Sequence, residues 1–201
     1  MDPNLIEEIN SINDSFVGVH DWIKQVWLSK VLFSWHWWVD VALAVLPWGF
    51  WLLVRRRDLQ RRLLFAGLVT ALLATYLDII GMSQGWWTYY TWVLPLMPEY
   101  LPWDLAVMPV TAMLFYQYKQ NWNPWLKAAI FGVVGAFVSE PLFEWIGIYK
   151  RITWQYWYSL PIYIAVYMAG YAVFTRGRRL KAAAVYKKPP VLHSRTKKEI
   201  S

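Results

Sequence analysis

The chain has 201 residues, of which 58% are hydrophobic and 16 are Trp, with no Cys and a formal charge of +7. The missing Cys excludes disulfides and thiolate metal sites. The apolar fraction exceeds the ~45–50% of ordinary soluble domains, and the positive charge is no sign of a nucleic-acid partner, because the basic residues gather at the ends of apolar segments, as in membrane proteins.

Residues 1–32 read as an amphipathic interfacial helix. Leu5, Ile9, Ile12, Phe16, Val19, Ile23 and Val26 recur at alternating steps of four and three, which places them on one helix face. Such a helix packs on its own bundle, lies on a leaflet, or pairs with a coiled-coil partner. Its first stretch, Met1 to Ile12, carries acids and no basic residues, so it does not read as a cleaved signal peptide.

Residues 33–175 read as an all-α, polytopic domain of five transmembrane helices. The expected spans are 33–54, 63–81, 101–118, 126–148 and 157–175, each near the ~17–25 residues a crossing needs. The 82–103 connection is too apolar for a free loop. Pro95, Pro98 and Pro102 forbid a regular helix across its end, so it is expected to fold back as a cap. Residues 176–201 read as a basic tail near anionic lipid heads.

Orientation follows from Lys and Arg. The 55–62 loop, the 119–127 loop and the tail hold sixteen of the twenty basic residues. The positive-inside rule makes that side cytoplasmic and places the N-terminus outside a plasma membrane.

Two short motifs recur at an offset of 66 residues: Asp78-Ile79-Ile80-Gly81 with Glu144-Trp145-Ile146-Gly147, and Leu94-Pro95-Leu96 with Leu160-Pro161-Ile162. A parallel two-helix repeat and chance both account for them.

Five carboxylates, Asp40, Asp78, Asp104, Glu140 and Glu144, lie about 13 to 17 residues from the nearest basic cluster. At ~1.5 Å per residue they form one layer about 20–25 Å along the helices, in the outer half of a ~30 Å hydrocarbon slab. Acids at that depth are costly and mark a functional site by default. Asp40 and Asp104 sit near helix starts, where the macrodipole favours them, and Asp104 reads equally as an N-cap. Glu140 and Glu144 are four apart on one face. Pro141 between them frees the carbonyl of Phe137. Three readings stand: pairing with Lys150, Arg151, His36 or Lys30, binding of a cation or proton, or acid catalysis. Trp154, Trp157, Tyr158 and Tyr163 are candidates for an aromatic wall around a lipid-like or cationic ligand. No phosphate-binding loop, dinucleotide fingerprint or zinc-protease motif is present. No cofactor is expected beyond a divalent cation at the acid layer.

The segments YLDIIGMSQGWWTY (76–89), LPWDLAVMPV (101–110) and SEPLFEWIGIYKRITWQYW (139–157) resemble an uncharacterised family of small multi-pass membrane proteins of Gram-positive spore-forming bacteria. The resemblance covers residues 35 to 175 and implies a plasma-membrane location without an activity. A looser likeness of pattern links the chain to membrane carotenoid (lycopene) cyclases; no catalytic residue carries over from it. The expectation is a non-enzymatic, ligand- or cation-binding or scaffolding protein of the plasma membrane, in contact with the bilayer and with a membrane-protein partner or a second copy of itself. The alternative is an intramembrane enzyme that acts on an isoprenoid or lipid by general-acid catalysis.

Overall fold

The computed structural model describes residues 2–95 and 100–186, with side chains described as far as residue 176. The expected basic tail therefore lies largely outside the described residues, as does Leu96 of the second motif. The fold is helical, as the apolar segments imply. Its elements are α1 (Pro3–Val26), α2 (Trp35–Val54), α3 (Gln60–Ser83), β1 (Trp87–Tyr89), α4 (Met108–Gln117), α5 (Pro124–Val134), α6 (Glu140–Trp145), β2 (Tyr149–Arg151) and α7 (Tyr156–Tyr186).

Four helical stretches are long and apolar enough to cross a membrane: Trp35–Val54, Gln60–Ser83, Pro124–Trp145 and Tyr156–Arg176. The expected third span is the shorter helix that runs from Leu101 to Gln117, about 25 Å at the usual rise. It is the most central helix of the bundle. Met108, Val110, Ala112, Met113 and Tyr116 are all buried, and α4 packs against α2, α3 and α7.

The core joins Leu63, Ala66 and Ala74 of α3 to Met113 and Tyr116 of α4, Phe131 of α5, and Tyr167 and Phe174 of α7. Close contact there depends on small residues. A Cβ on Gly132 would sit 3.1 Å from the Leu160 carbonyl oxygen, so a side chain there would ask α7 to give by a few tenths of an ångström. Outward-facing Leu53, Phe65, Leu72 and Val138 are exposed, as a bilayer-facing surface requires.

Prolines shape the helices locally. Wide π-type turns at Trp103–Val107 and Gly135–Ser139 precede Pro109 and Pro141. A proline donates no N–H and displaces the carbonyl four residues back, and a π turn absorbs the mismatch. Pro109 is four residues after Leu105, and the Leu105 carbonyl oxygen accepts instead from Trp48 Nε1 at 2.9 Å. A backbone group freed within apolar surroundings thus gains an indole partner.

The segment after α3 forms the expected cap. β1 pairs antiparallel with β2 in the register Trp87 with Arg151, Thr88 with Lys150 and Tyr89 with Tyr149. The Trp86 carbonyl oxygen accepts from the amides of Ile152 at 2.9 Å and Thr153 at 3.1 Å. Indoles hold the rest: Trp27 Nε1 donates to the Trp92 carbonyl at 2.8 Å and Trp37 Nε1 to the Val93 carbonyl at 3.1 Å. The cap closes the carboxylate end of the bundle, opposite the arginine end at Arg55–Arg57.

α1 forms over the expected range, with Asp2 as its N-cap. None of its residues is buried, so it does not pack on the bundle. The recurrent motifs differ in local structure. Gly81 lies within α3, whereas Gly147 follows α6 at φ +80°. Leu94-Pro95 is irregular, whereas Leu160-Pro161 is inside α7.

Candidate functional site

Asp78 accepts hydrogen bonds from three groups of the cap. It lies near the end of α3, and its Oδ1 accepts from Trp87 Nε1 at 2.7 Å and from the Tyr89 hydroxyl at 3.0 Å. Its Oδ2 accepts from the Tyr100 amide at 3.0 Å. The cap thus reaches down to this carboxylate through two side chains and one backbone group. Gly81 makes the approach possible, because a Cβ there would lie 2.0 Å from the Trp87 ring.

Asp40, on α2, is buried. Its Oδ1 accepts from the Tyr100 hydroxyl, and Thr91 and His36 lie close by. Tyr100 therefore binds Asp78 through its backbone and Asp40 through its ring, stacked on Tyr89 at 4.5 Å and 12°. Asp40 stands behind this aromatic pair, outside the cavity described below.

Asp104 lies inside the helix that begins at Leu101, almost fully buried. It is not an N-cap: its amide already donates to the Tyr100 carbonyl.

Glu140 and Glu144 diverge. Glu140 turns inward, where its Oε1 accepts from the Tyr163 hydroxyl at 2.7 Å. Ser159 lies beside it. The Ser159 oxygen accepts from Trp154 Nε1 at 2.8 Å, which leaves its proton for the carboxylate. Glu144 faces the rim, pairs with Arg151 at 3.0 Å and accepts from the Tyr156 hydroxyl. Arg151 lies over the Tyr156 ring, 3.6 Å from its centroid. Pairing with a rim base thus describes Glu144 and not Glu140. Both acids lie on α6, four residues apart, yet their side chains take different partners.

Asp78, Asp104 and Glu140 line one cavity of about 90 Å³ between α3, α4, α6 and α7. Among the described residues, no Lys, Arg or His lines it. Its walls are rings: Trp86, Trp87, Tyr89, Trp103, Phe143, Tyr149, Trp154 and Tyr163. Trp86 and Trp154 stack across its top at 4.9 Å and 23°. Of the four aromatic candidates, Trp154 and Tyr163 line the cavity. Trp157 and Tyr158 pack on each other at 4.1 Å on the exposed surface. Both belong to the first turn of α7, whose inward face there is Ser159 and Tyr163.

The residues sequence reasoning missed are those of the cap and of Trp103. The cap rings reach the cavity through pairing of β1 with β2, some sixty residues apart, so no local spacing marked them, whereas Trp103 adjoins Asp104 in the chain. The cap tyrosines carry the mark of the site. Burial, with Asp78 as the second cause, raises Tyr89 well above its ordinary value. Burial, with Glu140 next, does the same to Tyr149. Both remain neutral hydroxyls. At Arg151 burial opposes the charged form, but the Glu144 carboxylate outweighs it and holds the guanidinium above its usual value.

Among the described residues, no group of three or more His, Asp or Glu is placed to hold a metal ion. Oxygens of Asp78 and Glu140 accept from hydroxyl, indole and amide donors. Comparison of the chain with protein-family models, with curated proteins and with solved structures finds no match.

Proposed function

We propose that this is an integral protein of the plasma membrane, N-terminus outside, whose cavity binds a small organic cation. One observation carries the reading: three carboxylates and eight aromatic rings line a single cavity, with no Lys, Arg or His among its described lining residues. Carboxylates at that depth attract a cation or hold a proton. Aromatic faces attract organic ammonium groups, each contact contributing ~0.5–2 kcal/mol. The asymmetry of Lys and Arg supports the orientation. The unpacked apolar face of α1 suits a leaflet surface, a second copy or a membrane-protein partner.

The test is direct binding of tetramethylammonium and choline to the purified protein, followed by tryptophan fluorescence. Saturable binding, weakened at least tenfold in Asp78→Asn and Glu140→Gln, is the expected result. Wild-type protein that ignores both cations at millimolar concentration overturns the reading.

A second reading follows from Glu140 itself. A carboxyl group in a ring-lined cavity is equipped to protonate an isoprenoid alkene. A C–H bond would form, the O–H bond would break, and the carbocation left behind would lie against π faces. Turnover of an isoprenoid by wild type and not by Glu140→Gln would support it; inertness toward isoprenoids would remove it.

A further inference from the structure

A second chamber of about 100 Å³ adjoins the first and shares Trp103, Met108 and Tyr163 with it. Its other walls include Val107, Thr111 and Phe115 on one side and Phe131, Val134 and Gly135 on the other. Apart from the shared Tyr163, no ionisable group is among its described lining residues. Its lining on the central helix runs from Trp103 to Phe115, about 18 Å at the usual rise. Val134, at its edge, is 42% exposed on the outer surface of the bundle.

The wall between the chambers is built to face both ways. Tyr163 donates to Glu140 in the first chamber while its ring lines the second. The α5 backbone comes so near this ring that a Cβ on Gly135 would lie 2.7 Å from it. Met108 is unbranched and readily changes rotamer. A charged, aromatic chamber thus opens across adaptable side chains onto an apolar one.

We infer that the ligand is an amphiphilic amine, with its ammonium group among Asp78, Asp104 and Glu140 and its hydrocarbon chain in the chamber beneath Trp103 and Tyr163. The inference rests on the organic-cation reading and names the ligand class. An apolar cavity holds water poorly, and burial of a chain there gains roughly fourfold in affinity per methylene relative to water. The same chemistry is offered by the headgroup of an amine lipid and by a free amphiphilic amine.

The experiment titrates the full chain in maltoside micelles with tetramethyl-, butyltrimethyl- and octyltrimethylammonium, against free ligand concentration, by tryptophan fluorescence. Affinity in wild type is expected to climb with chain length. Thr111→Phe, which fills the second chamber, should flatten the climb and leave tetramethylammonium binding within about twofold. Val134→Phe, at the exposed edge of the same chamber, provides the test if Thr111→Phe fails to fold. Tetramethylammonium binding with no gain from the chain, or an equal gain in the filled variants, overturns the chain site alone. Failure of every ammonium to bind overturns the organic-cation reading and this inference together. An amine lipid that copurifies and is displaced by octyltrimethylammonium identifies a lipid source; amine binding without a displaced lipid identifies a free amphiphile.

Discussion

Tyr100 links two buried carboxylates: its amide donates to Asp78 at 3.0 Å and its hydroxyl donates to Asp40. One residue of the cap therefore couples α2 to α3. Removal of one partner from a buried hydrogen bond costs about 1–3 kcal/mol for each group left unsatisfied. Tyr100→Phe strips only the Asp40 contact and should cost about that amount. Asp78→Ala orphans Trp87 Nε1, the Tyr89 hydroxyl and the Tyr100 amide, and should cost about 3 kcal/mol or more. Thermal melts in detergent check the order; equal losses would mean that the coupling is absent.

Gly81 offers a second test, because the Trp87 ring occupies the place of its missing side chain. Gly81→Ala should push the indole off Asp78. Overpacking of this kind costs about 1–3 kcal/mol. The loss should be smaller in a Trp87→Leu background, where the bulky ring is gone. Additive losses in the double variant would show that the contact is not responsible.

The rim pair of Glu144 and Arg151 is partly exposed, with side chains 31% and 24% accessible. Exposed ion pairs contribute about 0–1 kcal/mol. Arg151→Gln should therefore lower stability only slightly and leave cation affinity within about threefold. A tenfold change in affinity would instead make the pair part of the binding site.

The cap should fail in alkali. Tyr89 and Tyr149 are raised, chiefly by burial, above the ordinary tyrosine value of 10.0. A group raised on folding contributes fully below its unfolded value and loses that contribution as pH rises through its folded one. Stability should be flat up to about pH 10 and decline beyond it. The decline should soften in Tyr89→Phe. A melting temperature that is flat to pH 12 would contradict the burial of these hydroxyls.

A chain with no Cys gives a clean background for labelling. Single cysteines at Asn4 and Ser201, probed with an impermeant maleimide in intact cells, should label at residue 4 only. Labelling at residue 201 alone would reverse the proposed orientation.

Much of this architecture is legible in the residues. Apolar length is legible as four membrane-length helices, because it follows from the thickness of a bilayer, and of the five acids expected at one depth three line the cavity. The division of labour among the acids was not legible. Glu140 and Glu144 keep the four-residue spacing on α6, but Tyr163 and Ser159 surround the first while Arg151 and Tyr156 at the rim hold the second. Asp104 looked like a cap because Pro102 precedes it, whereas the helix already starts at Leu101. The aromatic wall was hidden for a different reason. Trp86, Trp87 and Tyr89 reach the cavity only through strand pairing with residues some sixty positions away, and no local pattern encodes that.

The three-way acceptance at the Trp86 carbonyl, from the amides of Ile152, Thr153 and Trp154, has a kinetic consequence. A molecule that left through the cap would have to break backbone bonds, whereas one that left beside Val134 would displace only side chains. Side-chain rotation is far faster than local unfolding. Dwell time in the cavity should then track the fluidity of the surrounding acyl chains, and stiff, ordered lipids should hold an occupant longer than soft ones.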